Sequence, residues 1–296
     1  RLPMGMLSPP MQDLARRLLL STARGPDGEQ GGQSLLGLRI ERLAAGGETV
    51  AVNDLLRLTP ARLTDRAFAR ARLDGLLLAG NHAGACAEFK SLVADDPDET
   101  YWLKGLTFCK ALNGERAAAR FAVDLLQELG ERGDAAFFAL VESLNGATEA
   151  QVASLLDPDA LHLAMLQVAQ LPVPDDAVPG APPSILRAIA KAPNASLELR
   201  LAAAEQAEAA GALSAAELAE IYKSVIFEPE QIAGSQTIAE REPGPRANAL
   251  LYQAGQLRSD PAERARALQL AWRLARQHGG FGTQARVNRE VALSLG

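Results

Sequence analysis

Two thiols, an imidazole and a group of carboxylates occur within 30 residues of one another, and these are side chains that could carry out chemistry. Cys86 and Cys109 are the only two cysteines of the 296 residues, and His82 stands four positions before Cys86. A Cys–His dyad for nucleophilic catalysis also needs a cleft and a third group that orients the histidine. The local sequence supplies neither, so we expect His82 to lie at the exposed start of a helix.

Four carboxylates are clustered further along the chain: Asp95, Asp96, Asp98 and Glu99. A calcium loop of the EF-hand type needs alternating ligands, a central glycine and a distal glutamate. Pro97 interrupts the segment, and no glycine occurs from 95 to 103, so this pattern is excluded. The sequence predicts instead that Asp98 and Glu99 cap the next helix, where acceptors and negative charge satisfy free backbone N–H groups.

The rest of the sequence contains no motif that predicts a cofactor, a metal or a catalytic centre. His162 and His278 are distant from His82 and form no H-x-x-H pattern. The phosphate-binding pattern G-x-x-x-x-G-K-[ST] and the nucleophile pattern G-x-S-x-G are both absent from the sequence. We therefore expect a protein that is not an enzyme and needs neither a cofactor nor a metal.

The composition predicts helices from end to end. The chain is 48% hydrophobic and only 4% aromatic, and it is dominated by alanine and leucine, which have high helix propensity. No apolar run reaches the roughly 18–20 residues that span a bilayer, so we expect no membrane span. The chain begins at Arg1 rather than Met, as expected of a processed product or a segment of a longer protein.

The charge is distributed unevenly. The formal net charge of −6 argues against a nucleic-acid partner. Residues 1–76 carry 11 basic and 8 acidic side chains, residues 77–245 carry 11 and 25, and residues 246–296 carry 8 and 3. Basic ends and an acidic middle could favour self-association or a basic partner, or could simply reflect a solvated acidic surface.

A period of 34 residues runs through the first half of the chain. It relates Gly46, Gly80 and Gly114, then Ala51, Ala85 and Ala119, then Leu55, Phe89 and Val123, and then Leu58, Leu92 and Leu126. The pattern predicts two helices in each unit, because the glycine suits a left-handed turn that ends the first helix. The alanine allows the two backbones to approach, and the large apolar residues share one face of the second helix.

This pattern resembles the tetratricopeptide repeat (TPR), most closely over residues 66–99. The resemblance implies an all-α fold: a right-handed superhelix of antiparallel helix pairs. It also implies a small residue midway along each first helix, where this sequence has Arg39, Leu73 and Thr107. The texture rich in alanine, arginine and leucine is similar to that of bacterial proteins with solenoid-like architecture.

The sequence divides into five predicted segments. They are an N-terminal helix and flexible loop (1–31), three TPR-like repeats (32–133), a degenerate helix pair (134–170), a proline-rich linker (171–183) and a C-terminal helical array (184–296). The five prolines of 171–183 exclude a helix there, which leaves either a linker or an ordered excursion across the solenoid. A second irregular stretch is predicted at 227–244. Asp260 and Pro261 are expected to begin a helix.

Cys86 and Cys109 lie at equal sequence distances from the predicted turn near Asp98. On two antiparallel helices of equal rise, this spacing places them at the same height. They are either a disulfide that joins adjacent repeats or a pair of buried reduced thiols, and the spacing leaves both possibilities. A disulfide would indicate an oxidising compartment such as a bacterial periplasm, whereas reduced thiols would favour the cytoplasm.

The TPR resemblance also implies a concave groove lined by the first helix of each unit. It maps this groove onto Gln33, Leu36, Ile40, Arg70, Asp74, Tyr101, Lys104 and Phe108. Arg70 and Lys104 could hold an acidic group and Tyr101 an apolar one, while Phe108 suits a helical core equally well.

We therefore expect a non-enzymatic protein–protein interaction or assembly scaffold that binds a peptide or partner protein. One alternative is a structural subunit of a bacterial envelope or motor complex that assembles through its charged ends. Another alternative is a helical accessory domain of an enzyme.

Overall fold

The protein is all-α. The structure, a computed structural model, describes residues 9–21, 35–58, 66–97, 99–147 and 151–295. These residues form eighteen α-helices and no strand, so the predicted all-α class is confirmed. The predicted loop at 24–33 lies outside the described residues.

The helices follow one another along the chain. The first nine are α1 Pro9–Leu20, α2 Leu35–Ala45, α3 Thr49–Leu58, α4 Arg66–Leu78, α5 His82–Asp95, α6 Thr100–Leu112, α7 Arg116–Glu128, α8 Ala135–Leu144 and α9 Ala160–Val168. The other nine are α10 Pro183–Lys191, α11 Leu197–Ala209, α12 Ala215–Lys223, α13 Pro229–Ala233, α14 Ser235–Arg241, α15 Pro245–Leu257, α16 Pro261–His278, α17 Phe281–Val287 and α18 Arg289–Leu293.

The glycine turns that end α2, α4 and α6 share one conformation. Gly80 donates its N–H to Leu77 O and the next residue donates to Leu76 O, at 3.0 and 2.9 Å, which is the hydrogen-bond pattern of a Schellman motif. Gly114 adopts the same left-handed backbone, with φ of +74°. In the first unit this role belongs to Gly47, also at +74°, and not to Gly46 as the 34-residue period predicted.

Small residues do occur midway along the first helix of each pair, two positions before those predicted. They are Gly37, Ala71 and Gly105, and all three are buried. A side chain at Gly105 would begin only 2.1 Å from the ring of Phe89, so the absence of a Cβ lets that ring lie against α6. Each first helix therefore has the small residue that the resemblance implies, but two positions earlier than predicted.

Residues 151–159 do not form the predicted second helix of a pair. Instead, the N–H of Leu155 donates to Asp176 Oδ1 at 2.8 Å, which ties this segment to the proline-rich stretch. That stretch is ordered, with Val173, Ala177 and Val178 buried in the main core. These contacts pack the proline-rich stretch against the main core.

The predictions for the C-terminal part are partly confirmed. The stretch 227–244, predicted to be irregular, contains the two short helices α13 and α14. Asp260 caps α16 by accepting a hydrogen bond from Ala262 N–H at 3.0 Å, and Pro261 occupies the first helical position as predicted.

Among the described residues, the buried apolar side chains form one large cluster and two smaller clusters. The large one extends from Ala69 on α4 to Val287 on α17. A separate N-terminal cluster joins α1, α2, α3 and the start of α4. The N-terminal helices also contact the turn after α11, where Gln12 donates to Ala210 O at 3.0 Å across 198 residues. A Cβ on Gly47 would lie 2.3 Å from the Cβ of Ala212.

Cys86 and Cys109 are disulfide-bonded, and their Cα atoms are 5.6 Å apart. The bond joins α5 to α6, as the equal spacing about the turn allowed. Glu99 stands at the N-cap of α6 but makes no side-chain cap. Its carboxylate pairs instead with Arg66 at 3.2 Å, so the predicted capping role is wrong for Glu99; Asp98 lies outside the described residues. None of the described helices is long and apolar enough to span a membrane.

Candidate functional site

An ion network begins where α4, α6 and the start of α9 meet. Arg70 and Asp74 lie one turn apart on α4, and Arg70 Nε is 3.1 Å from Asp74 Oδ1. The other end of the guanidinium reaches Asp159 Oδ2 at 3.0 Å. Tyr101 on α6 donates its hydroxyl to Asp74 at 2.8 Å, and its ring lies 3.2 Å below the Arg70 guanidinium, a cation–π contact.

The network continues through His162, on the first turn of α9. His162 Nδ1 is 2.8 Å from Asp159 Oδ1, and its Nε2 is 3.0 Å from Asp134 Oδ1. Asp134 is the N-cap of α8 and also accepts a bond from Lys104 Nζ at 2.9 Å. Lys104 in turn pairs with Glu131 at 3.1 Å. Acidic and basic groups therefore alternate from α4 to α6, α8 and α9.

The surroundings change the pKa values in this network. Burial alone would lower the pKa of His162, but its hydrogen bonds to Asp134 and Asp159 outweigh burial and raise that pKa to about 9. The same contacts hold the pKa of Asp134 well below its usual range, against the opposing effect of burial. Burial and the nearby Asp74 carboxylate raise the pKa of Tyr101 well above normal. At neutral pH the imidazole is thus cationic and the phenol protonated.

A pocket of about 390 Å³ adjoins the network, within the range of roughly 300–1,000 Å³ that is typical of ligand sites. Its walls are α4, α9 and α10, and α2 and α3 contribute Ala44 and Val52. The space exists because small residues face one another across it: Ala71, Gly75, Ala164 and Ala188. Asp74 belongs to both the pocket and the network.

One face of α10 supplies polar groups to this pocket. Ser184, Arg187, Ala188 and Lys191 all line it, and their spacing of three, four and seven residues places them on one side of a helix. Arg187 and Lys191 both pair with Glu217, at 2.6 and 3.2 Å. The pocket therefore has small apolar walls and a cationic edge.

The structure brings four of the eight predicted groove residues into or next to this site. Arg70, Asp74, Tyr101 and Lys104 belong to the network. Gln33 lies outside the described residues. Leu36 is partly buried against the N-terminal cluster, Ile40 is fully buried inside that cluster, and Phe108 is fully buried in the main core.

Four network residues were not predicted from the sequence: Glu131, Asp134, Asp159 and His162. An aspartate directly before each of two apolar helices was the available signal, because both Asp134 and Asp159 are N-caps. His162 was set aside because no second histidine stands near it. Its partners come from another helix start 28 residues away, which no local motif reveals.

The site offers binding groups more readily than reactive ones. Both ring nitrogens of His162 already contact carboxylates, so neither is free to act as a general base. Cys86 has no thiol, because its sulfur is bonded to Cys109. Within the described ranges, no three His, Cys, Asp or Glu side chains are arranged to hold a metal ion.

Comparison with family models, with curated proteins and with solved structures finds no match for this chain.

Proposed function

We propose that the protein is a non-enzymatic binding module that holds a short segment of a partner protein in the pocket between α4, α9 and α10. The observation that carries this proposal is the meeting of a pocket with small apolar walls and a fixed ion network at one place. Sites that bind ligands are typically concave and mostly apolar, with a few positioned polar groups.

The network supports this proposal by fixing the pocket wall. Asp74, on the pocket side of α4, is held by Arg70 and Tyr101, and Arg70 is tied in turn to Asp159 at the start of α9. Two of the three walls are therefore joined by charge-assisted hydrogen bonds, which are stronger than neutral ones. A wall fixed in advance reduces the entropy lost when a ligand binds.

The wider TPR-like architecture is part of the same proposal. Helix pairs with glycine turns and a small-residue column support a solenoid in which first helices line the concave side. The disulfide supports an oxidising compartment, such as a bacterial periplasm, because such bonds persist there.

A filled pocket tests the proposed function. Ala188→Trp would place an indole in the cavity, and Ala117→Trp, at an exposed position of α7, is the matched control. Each protein is immobilised and exposed to a library of short soluble peptides, half with free carboxyl ends and half amidated, and retained peptides are identified by mass spectrometry. Circular dichroism checks that both variants remain folded.

We expect a set of peptides retained by the wild type and by Ala117→Trp but lost from Ala188→Trp. Peptides retained equally by all three proteins would place binding elsewhere. No peptide retained by the wild type would contradict the proposal.

A further inference from the structure

The cationic edge of the pocket indicates what kind of segment it binds. We propose that the pocket recognises the C-terminal residue of a peptide, an aliphatic side chain together with its free carboxylate. The inference rests on the proposed function, because it assigns the ligand of the same pocket.

The charge balance along α10 favours an anionic group. Arg187 and Lys191 share a single carboxylate, that of Glu217, so this edge carries one positive charge more than it neutralises. Arg187 is committed further by donating to Ala212 O. Lys191 makes one contact with Glu217 and its side chain is 52% exposed, so its ammonium, with three donors, retains N–H groups for a ligand.

A second polar group stands on the same face. Ser184 lines the pocket two turns before Lys191, and its hydroxyl has no hydrogen-bond partner among the described residues. On the opposite wall, the Asp74 carboxylate accepts hydrogen bonds from Arg70 and from the Tyr101 hydroxyl. A ligand carboxylate at the Lys191 end therefore meets the Lys191 ammonium, while Asp74 across the pocket already has hydrogen-bond donors.

Ala188 and Lys191 both line the pocket and lie close together on α10, so one terminal residue can reach both. Ala188 and Lys191 are three positions apart, about 4.5 Å along the axis at 1.5 Å per residue. An aliphatic side chain and the carboxylate of the same terminal residue are separated by a similar length. The side chain would then lie among Ala71, Ala164 and Ala188, with the carboxylate at Lys191.

The test compares matched ligands on the full chain by titration calorimetry. A short peptide ending in alanyl-leucine is titrated as the free acid and as the C-terminal amide, and octanoate is titrated beside them. The variants are Lys191→Gln and Lys191→Arg. The control is Lys223→Gln, which removes another lysine that is also 52% exposed and paired with a glutamate but lies outside the pocket.

We expect the free acid to bind at least about tenfold more tightly than the amide, because a hydrogen bond to a charged group contributes about that much. Lys191→Gln should abolish this preference, whereas Lys191→Arg and Lys223→Gln should keep it. Octanoate should bind weakly, with the same dependence on Lys191.

Other outcomes separate this inference from the proposed function. If the acid and the amide bound equally, and both were lost in Ala188→Trp, recognition of the carboxylate would be overturned. The proposed peptide pocket would still stand. If octanoate bound and the peptide acid did not, the bound carboxylate would not come from a peptide, which would overturn the inference. If none of the three ligands bound while library peptides were still retained, recognition of a C-terminal residue would be overturned.

Discussion

The Nε2 atom of His162 lies 3.0 Å from Oδ1 of Asp134, although 28 residues separate the two along the chain. Asp134 also caps α8 through a hydrogen bond from Phe137 N–H, and Asp159 caps α9 in the same way. The imidazole therefore bridges the caps of two successive helices. Since only 8% of the His162 side chain is exposed, this bridge is protected from solvent screening.

Stability should fall as the pH rises through the pKa of His162. The folded-state pKa is about 9 against an ordinary value of 6.5, so the folded protein holds this proton more tightly than the unfolded chain. The contribution is complete below pH 6.5 and lost above pH 9, and amounts to about 3 kcal/mol. Urea unfolding at pH 6.5 and about pH 10 measures it.

His162→Gln should remove most of this pH dependence. It should also lower the free energy of unfolding by about 2–3 kcal/mol near neutral pH, because Asp134 and Asp159 each lose a buried partner. His278→Gln changes an exposed histidine at the end of α16 and is the control. An unchanged pH profile in His162→Gln would contradict the assignment.

The turn after α2 should be less tolerant of a side chain than the turn after α6. Gly47 and Gly114 share a φ of +74°, so alanine at either position meets the same left-handed backbone strain of roughly 1–2 kcal/mol. Only at Gly47 would the new Cβ also collide with Ala212, at 2.3 Å; at Gly114 nothing lies within 4 Å.

Gly47→Ala should therefore destabilise the protein by about 1–3 kcal/mol more than Gly114→Ala, the range typical of overpacking. Chemical denaturation of the two variants gives the comparison directly. Equal losses would mean that the N-terminal helices do not pack against the turn after α11.

The sequence predicted helix pairs well because their signals are local. The first helix of each of the three repeat units ends at its own glycine, and Asp260 with Pro261 marks a helix start within two residues. The errors have physical causes. The Gly46–Gly47 pair offered two candidates for one turn, and only the contact with Ala212 distinguishes them. Residues 151–159 look apolar enough for a helix, but Asp176, further along the chain, takes the Leu155 N–H.

Only half of the network residues could be predicted from the sequence, because the other half depend on contacts between distant parts of the chain. Arg70 and Asp74 are one turn apart, so their proximity follows from the helix itself. The contact of Arg70 with Asp159 spans 89 residues and depends on how α9 returns to α4. Ile40 and Phe108 were assigned from a repeat position, which does not determine whether an apolar residue faces the groove or the core.

The contact between Phe89 and Gly105 should make α6 sensitive to a single methyl group. In Gly105→Ala the new Cβ would lie 2.1 Å from the Phe89 ring, and we expect a loss of about 2 kcal/mol from overpacking. Gly255 in α15 is the matched control, because its Cβ would meet Val291 at an ordinary 3.4 Å.

Gly255→Ala should be neutral or stabilising by up to about 1 kcal/mol, since alanine is the better helix former. Thermal unfolding of both variants measures the contrast. A similar midpoint for both would show that Phe89 can leave α6 without loss.

Reduction of the disulfide should lower stability without dismantling the fold. The bond joins residues 23 apart, and closing a loop of that length in the unfolded chain corresponds to about 3 kcal/mol. Each cysteine lies on a helix that already packs in the main core, so the helices should persist after reduction. Thermal unfolding with and without dithiothreitol measures the loss as a fall in the midpoint of several degrees.

A Cys86→Ala/Cys109→Ala double variant should melt near the reduced protein and show no response to the reductant. If dithiothreitol left the wild-type midpoint unchanged while free thiols became titratable, the bond would contribute nothing to stability.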